Sequence, residues 1–92
     1  MGYKGWLKMT ESIEEKLPVH ETVNVIEYIT LYKTDKWWAA VALCESFGRR
    51  DVSLYQWQNR QGTWKRQNKW KIKNQAEWLA IKDAAEQLVL KL

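Results

Sequence analysis

The chain of 92 residues has one cysteine, one histidine and four glycines, and these shortages exclude several classes of protein. A single cysteine excludes an internal disulfide framework, and Cys44 and His20 together cannot supply the four ligands of a zinc site. The glycines lie apart along the chain, so no glycine-rich phosphate loop is present. We therefore expect no metal, no cofactor and no enzymatic activity.

Long apolar segments are also missing. The longest apolar run, Trp37 to Cys44, is far shorter than the roughly 20 residues that a membrane-spanning helix needs. No basic segment followed by an apolar segment opens the chain, as a secretory signal would require. An amphipathic helix with a basic polar face, which surface-bound membrane proteins use, is absent too. These observations predict a cytoplasmic protein.

What the chain does have is tryptophan and an uneven distribution of charge. It carries seven Trp and four Tyr, and its formal net charge is +4. Residues 1–46 hold five basic and seven acidic side chains (−2), whereas residues 47–92 hold ten basic and four acidic ones (+6). The segment from Arg49 to Lys73 contains eight basic residues and a single acidic one, Asp51. This separation favours an anionic partner; the alternative is a solvated basic strand beside core tryptophans.

The first part of the chain differs in pattern from the rest. Residues 1–20 are predicted to be an N-terminal arm with a short helix, because Ser12 and Glu15 have capping-box spacing and Pro18 ends the turn. Residues 21–92 are predicted to form a single β-β-β-β-α domain.

Short β-prone runs separated by turn residues predict an antiparallel four-stranded meander in this domain. A C-terminal helix follows, with Asn74 as its N-cap and Glu77 at the third helical position. The fold class is therefore α+β, with the helix packed on one face of the sheet. The predicted strands are Thr22–Tyr32, Trp37–Phe47, Val52–Gln58 and Thr63–Lys73. The predicted apolar stripe of the helix consists of Trp78, Ile81, Ala85, Leu88, Val89 and Leu92.

The turn between the last two strands predicts which residues share a surface. A three-residue loop, Arg60–Gly62, with Gly62 left-handed, would place Asn59 opposite Thr63. One face would then be solvated and basic, and the other would meet the helix. The predicted solvated face carries Tyr55, Trp57, Lys65, Lys69, Lys71 and Lys73. The predicted helix-facing side carries Val52, Leu54, Trp64, Trp70 and Ile72.

Aromatic rings beside lysines on a solvated sheet are typical of proteins that bind single-stranded nucleic acid by stacking and phosphate contacts. The C-terminal helix is nearly neutral, which disfavours a helix in the major groove of a duplex. We therefore expect binding of single-stranded DNA, or RNA, with low sequence specificity, in a cytoplasmic, nucleoid-associated protein.

The stretches KWWAAVALCESFGRRDVSLYQWQ and GTWKRQNKWKIKNQAEW, within residues 21–92, carry a family resemblance. The order of elements and the basic aromatic hairpin resemble the archaeal ThermoDBP-related single-stranded DNA-binding proteins and, more loosely, the Whirly and transcriptional-coactivator type of single-strand binder. The resemblance implies stacking on Trp38, Tyr55 and Trp57. It also implies phosphate contacts from Lys65, Lys69 and Lys71. The candidate nucleic-acid-binding set is completed by Lys73, Arg49, Arg50 and Arg60.

Two other functions remain open on the sequence. The stretch GTWKRQ…WKIKNQAEW is similar to the ending of integrase arm-type domains, whose sheet lies in the major groove of duplex DNA. Alternatively, exposed Trp and Leu residues could form a protein-interaction or dimerisation surface, with Leu79 and Leu90 on the C-terminal helix as the contact of a homodimer.

Overall fold

A computed structural model describes residues 15–92 as one antiparallel sheet followed by one helix, and this confirms the predicted α+β meander. The strands lie in the sheet in the order of the sequence, so β1 and β4 are its edges. The helix predicted around Ser12 lies outside the described residues. The elements are β1 Asn24–Lys33, β2 Trp37–Ser46, β3 Arg49–Arg60, β4 Thr63–Ile72 and α1 Gln75–Val89.

Two-residue turns, Phe47–Gly48 and Gln61–Gly62, join β2 to β3 and β3 to β4. All four turn residues have φ between 51° and 86°. Two consecutive left-handed residues make the hairpin turn whose twist matches that of the flanking strands. Arg49 therefore belongs to β3 and not to a preceding turn, and Arg60 pairs directly with Thr63. The predicted three-residue loop after Asn59 is wrong.

The β3–β4 pairing also contains a β-bulge. Trp57 lies opposite Arg66, whereas Gln56 lies opposite Asn68, so Gln67 is an extra residue in β4. The predicted register is wrong by one residue near the turn, because the turn is one residue shorter than expected. It is wrong by two residues beyond the bulge, because the extra residue adds to the first error.

These two errors have different effects on the faces of the sheet, because side chains alternate along a strand. Beyond the bulge the shift is even, so Lys69 and Lys71 share a face with Tyr55 as predicted. Near the turn the shift is odd, so Lys65 and Trp64 exchange faces. Trp64 packs with the core, and Lys65 lies on the opposite face.

One face, which we call the closed face, contains the hydrophobic core. Three apolar residues of the segment that precedes β1 pack against this face: Leu17, Val19 and Val23. Small side chains on β2 leave room for the large rings of β3. The buried residues of the closed face on β2 and β3 are Trp38, Ala40, Ala42, Cys44, Ser53, Tyr55 and Trp57.

The other face, which we call the open face, is also apolar but is not sealed. Its central aliphatic residues are only half-buried, Ile29 is 66% exposed and Trp70 is 57% exposed. Of the four strands, only β4 contacts α1, and no residue of α1 is buried. The helix therefore reaches the open face through its first turn, where Trp78 lines a groove with the sheet. The open face consists of Ile29, Ala39, Val41, Leu43, Val52, Leu54, Trp70 and Ile72, of which only Ala39 and Ile72 are buried.

The start of α1 follows the predicted capping pattern. The Oδ1 atom of Asn74 accepts a hydrogen bond from the backbone N–H of Glu77 at 2.8 Å. The Glu77 carboxylate in turn accepts one from the backbone N–H of Lys73 at 2.8 Å. These bonds satisfy donors that the first turn of a helix leaves without partners. Within residues 15–92, no helix is long and apolar enough to cross a membrane.

Candidate nucleic-acid interface

The three aromatic residues predicted to stack on bases lie in the core. Trp38 is 2% exposed, Tyr55 is 4% exposed and Trp57 is 0% exposed. The prediction that Tyr55 and Trp57 lie on a solvated face is therefore wrong. Residues before β1 cover them, which the pattern within β3 and β4 could not reveal.

These rings pack against one another. The ring centroids of Tyr55 and Trp57 are 5.0 Å apart with planes 10° apart, and those of Trp38 and Trp57 are 5.3 Å apart. Trp64 meets Trp38 edge-on at 5.6 Å, and the Lys33 ammonium lies 4.0 Å from the Trp38 ring centroid. Such contacts add about 0.5–1.5 kcal/mol per aromatic pair beyond burial, so this cluster stabilises the fold.

Two indole N–H groups in this cluster differ in their hydrogen bonding. The Trp38 Nε1 donates to the Thr30 hydroxyl at 3.1 Å. The Trp57 Nε1 is buried and has no hydrogen-bond partner among the described residues. An unsatisfied buried donor costs about 1–3 kcal/mol. The packing of the Trp57 ring must offset that cost.

Two titratable side chains at the other end of the closed face are held in their neutral forms. Burial raises the pKa of the Cys44 thiol, and the nearby Asp51 carboxylate raises it further. Burial also raises the pKa of the Tyr55 phenol, with a further contribution from Cys44. A thiol with a raised pKa is a poor nucleophile, so Cys44 behaves as a core residue.

The cations of the predicted site are, in contrast, all accessible. Two of them have a carboxylate partner: Lys71 lies 3.6 Å from Asp51, and Arg50 lies 3.8 Å from Glu45. For the others, residues 15–92 supply no carboxylate within ion-pair distance. The exposed cations of the β3–β4 hairpin are Arg49, Arg50, Arg60, Lys65, Arg66, Lys69, Lys71 and Lys73.

The structure divides these cations into two groups at opposite ends of the hairpin. Arg60, Lys65 and Arg66 surround the β3–β4 turn. The remaining cations meet where β3 begins and β4 ends: Lys71 reaches Asp51, and Arg50 and Lys73 line one groove. We call this second group the basic end, which consists of Arg49, Arg50, Lys69, Lys71 and Lys73.

One exposed aromatic residue at the basic end is missing from the site predicted from sequence. Phe47, in the turn before Arg49, is 90% exposed. The signal for Phe47 was the pair Phe-Gly between two β-prone runs, which fits a two-residue turn with its first residue at the tip. Trp70, predicted to face the helix, is 57% exposed on the open face, on the opposite side of β4 from Lys69 and Lys71.

Comparison with known proteins adds no relative: no protein-family model, no curated protein and no solved structure matches the chain. The likeness to ThermoDBP-related and Whirly-type proteins therefore stays a prediction. In residues 15–92, no group of His, Cys, Asp and Glu side chains could hold a metal ion.

Proposed function

We propose that the chain binds single-stranded DNA or RNA with low sequence specificity, through phosphate contacts at the basic end of the β3–β4 hairpin. The observation that carries this proposal is the set of eight exposed cations on one hairpin against one acid, Asp51. Most of these cations have no carboxylate partner in residues 15–92. Nucleic-acid affinity of this kind comes largely from the release of counterions by such charges.

A structural explanation accounts for only part of this charge. Lysines on an edge strand discourage pairing with another sheet, and β4 is an edge strand. However, Arg49, Arg50 and Arg60 lie on β3, which is paired on both sides. The other edge, β1, carries only Glu27 and Lys33 as charged residues. Edge protection would not concentrate cations on β3 and leave β1 nearly uncharged.

The role proposed for aromatic residues changes with the structure. Stacking on Trp38, Tyr55 and Trp57 is withdrawn, because their rings are buried. Phe47 takes their place as a stacking residue, since its ring is exposed beside Arg49 and Arg50 of the basic end. Stacking on an exposed ring contributes about 1–3 kcal/mol per base. The proposed cellular setting is the cytoplasm, in association with the nucleoid.

The test is a salt titration of binding to fluorescein-labelled oligothymidine, followed by fluorescence anisotropy. The wild type is expected to lose affinity as salt rises, with a slope of log K against log salt of about −0.7 per phosphate contacted. The double variant Lys69→Gln/Lys73→Gln should make the slope shallower by about 1.4, the contribution of two contacts. Both lysines are exposed and have no carboxylate partner in the described part of the chain.

The matched control removes the same charge elsewhere, in the exposed residues Lys36 and Lys82. The variant Lys36→Gln/Lys82→Gln should keep the wild-type slope. No binding by the wild type at low salt, or equal slopes for the two double variants, would contradict the proposal. Unlabelled duplex of equal length is the competitor: displacement as effective as that by single strands would favour the duplex-binding alternative.

A further inference from the structure

The helix α1 carries an apolar stripe that meets the rest of the described chain only at its first turn. Trp78 is 43% exposed, Leu88 is 65% exposed and Val89 is 57% exposed. An isolated helix of about 15 residues is marginal in water, and most helical stability in proteins comes from packing of an apolar face. A helix with no buried residue therefore needs an apolar surface that its own sheet does not provide.

The open face of the sheet is a surface of the matching kind. Val41, Leu43, Val52 and Leu54 form the floor of a groove of about 420 Å³, and Ile29 beside them is 66% exposed. The strands are ten to twelve residues long, or roughly 33–40 Å, and α1 is about 22 Å long. The helix thus fits within the length of the face.

Charge on the two surfaces is complementary. The segment Gln75–Val89 carries Glu77, Asp83 and Glu86 against a single lysine, Lys82. Arg50, Asp51 and Lys73 stand at the rim of the groove and give it a net charge of +1. A helix with a net charge of −2 is attracted to an apolar face with this rim, whereas two such helices alone would repel each other.

We propose that two copies of the chain form a symmetric dimer in which α1 of each copy lies across the open face of the other. The contact is self-complementary, as a two-fold interface requires, because each chain supplies one helix and one face. Two helices and two faces contribute, so each must bury about 300–500 Å² to reach the 1,200–2,000 Å² of a stable interface. Leu79 and Leu90, on a second side of α1, would lie where the two helices meet.

The edge strand β1 offers a second route to a dimer, through pairing of two β1 strands into a continuous sheet. Its register against β2 is interrupted at two places, between Val25 and Glu27 and between Thr30 and Tyr32. Such irregularities twist an edge and disfavour pairing with another strand. The apolar residues of α1 would also stay exposed in that dimer. We therefore place the contact on α1 and the open face.

The test starts with the mass of the full chain in solution, measured by light scattering over a range of concentrations. A mass twice that of the chain is expected for the wild type. Leu88→Asp should give a monomer, because a charge would enter the apolar contact. The control Gln87→Asp adds the same charge beside the stripe, at an exposed position, and should stay dimeric.

Cross-linking then locates the contact without relying on loss of assembly. In a Cys44→Ala background, the single variants Leu54→Cys and Leu88→Cys are mixed and oxidised. A disulfide-linked heterodimer is expected, and a mixture of Leu54→Cys with Gln87→Cys should give much less of it. A monomeric wild type would overturn the proposal, and so would a dimer that survives Leu88→Asp and gives no cross-link. Neither result bears on nucleic-acid binding, which is measured separately.

Discussion

The two faces of the sheet are built from alternate residues of the same strands, yet they differ in what covers them. On the closed face, residues before β1 seal Trp38 and Trp57 from solvent. On the open face, Trp70 is more than half exposed, and α1 stands clear beyond its first turn. Both faces are apolar at their centre, on β2 and β3, so composition does not distinguish them there. What distinguishes them is the presence of a covering segment in the same chain.

The largest expected effect comes from removing the central ring of the closed face. Trp57→Ala should destabilise the protein by about 3–5 kcal/mol, because it deletes a fully buried indole and leaves a cavity. Trp70→Ala, on the open face, should cost only about 1 kcal/mol, because less than half of that side chain is buried. The free energy of unfolding in urea, measured below the concentration at which dimers form, gives both values.

Equal costs for the two substitutions would break the comparison, because they would mean that the open face is covered in the monomer as well.

A smaller effect is expected from alkaline pH, and it also belongs to the closed face. The folded-state pKa values of Cys44 and Tyr55 are raised above their usual values of 9.0 and 10.0. Their contribution to stability is therefore fully present below the unfolded-state pKa values and is lost as pH rises through the folded-state values. Unfolding free energies from about pH 8 to about pH 11 should fall.

The variant Cys44→Ala isolates the thiol's share of this loss, because lysine titration affects both proteins alike. Its stability should fall less steeply than that of the wild type over the same pH range. Parallel curves for the two proteins would show that burial does not hold the thiol neutral.

The smallest expected effect on stability lies at the tip of the β2–β3 hairpin. Phe47 has a φ of 51°, a conformation that costs a non-glycine residue of order 1 kcal/mol and that asparagine adopts more readily. Phe47→Asn should therefore raise the free energy of unfolding slightly. The same variant should weaken oligothymidine binding, because it removes an exposed ring beside Arg49 and Arg50.

A variant that raises the free energy of unfolding but lowers the affinity for oligothymidine shows that Phe47 has a functional role rather than a structural one. Phe47→Tyr is the matched variant that keeps a ring, and its affinity should stay close to that of the wild type. If Phe47→Asn gains stability and keeps full affinity, Phe47 is not a stacking residue.

The elements that sequence predicts well here depend on local chemistry. The order of four strands and one helix follows from the β-prone runs and the turns between them. The start of α1 follows from Asn74 and Glu77, three residues apart, whose hydrogen bonds the structure contains. In each case a few neighbouring residues determine the outcome.

The register of β3 and β4 depends on details that the pattern does not encode. Gln61 adopts the left-handed conformation beside Gly62, which shortens the turn, and Gln67 forms a bulge. Glutamine has no preference for either conformation that would allow it to be predicted from the sequence. The result is that Lys65 and Trp64 lie on faces opposite to those expected.

The prediction of the stacking residues was wrong because of a contact between distant parts of the chain. Tyr55 and Trp57 alternate with polar residues in β3, which is also the pattern of aromatic residues on a solvated face. In the structure, however, Leu17 and Val19 pack against that face. These covering residues lie some 35–40 positions earlier in the chain. The exposure of the cations was predictable, because ammonium and guanidinium groups stay solvated wherever the fold allows.

Because the strands occur in the sheet in the order of the chain, each pairs only with its neighbours in sequence. Closing such a hairpin requires ordering just two turn residues, at Phe47–Gly48 and at Gln61–Gly62. Sheets with mostly local pairings form faster than those that join distant segments, since little chain entropy is lost before contacts form. Refolding of the sheet should therefore be rapid and independent of protein concentration, with any dimerisation as a later, concentration-dependent phase.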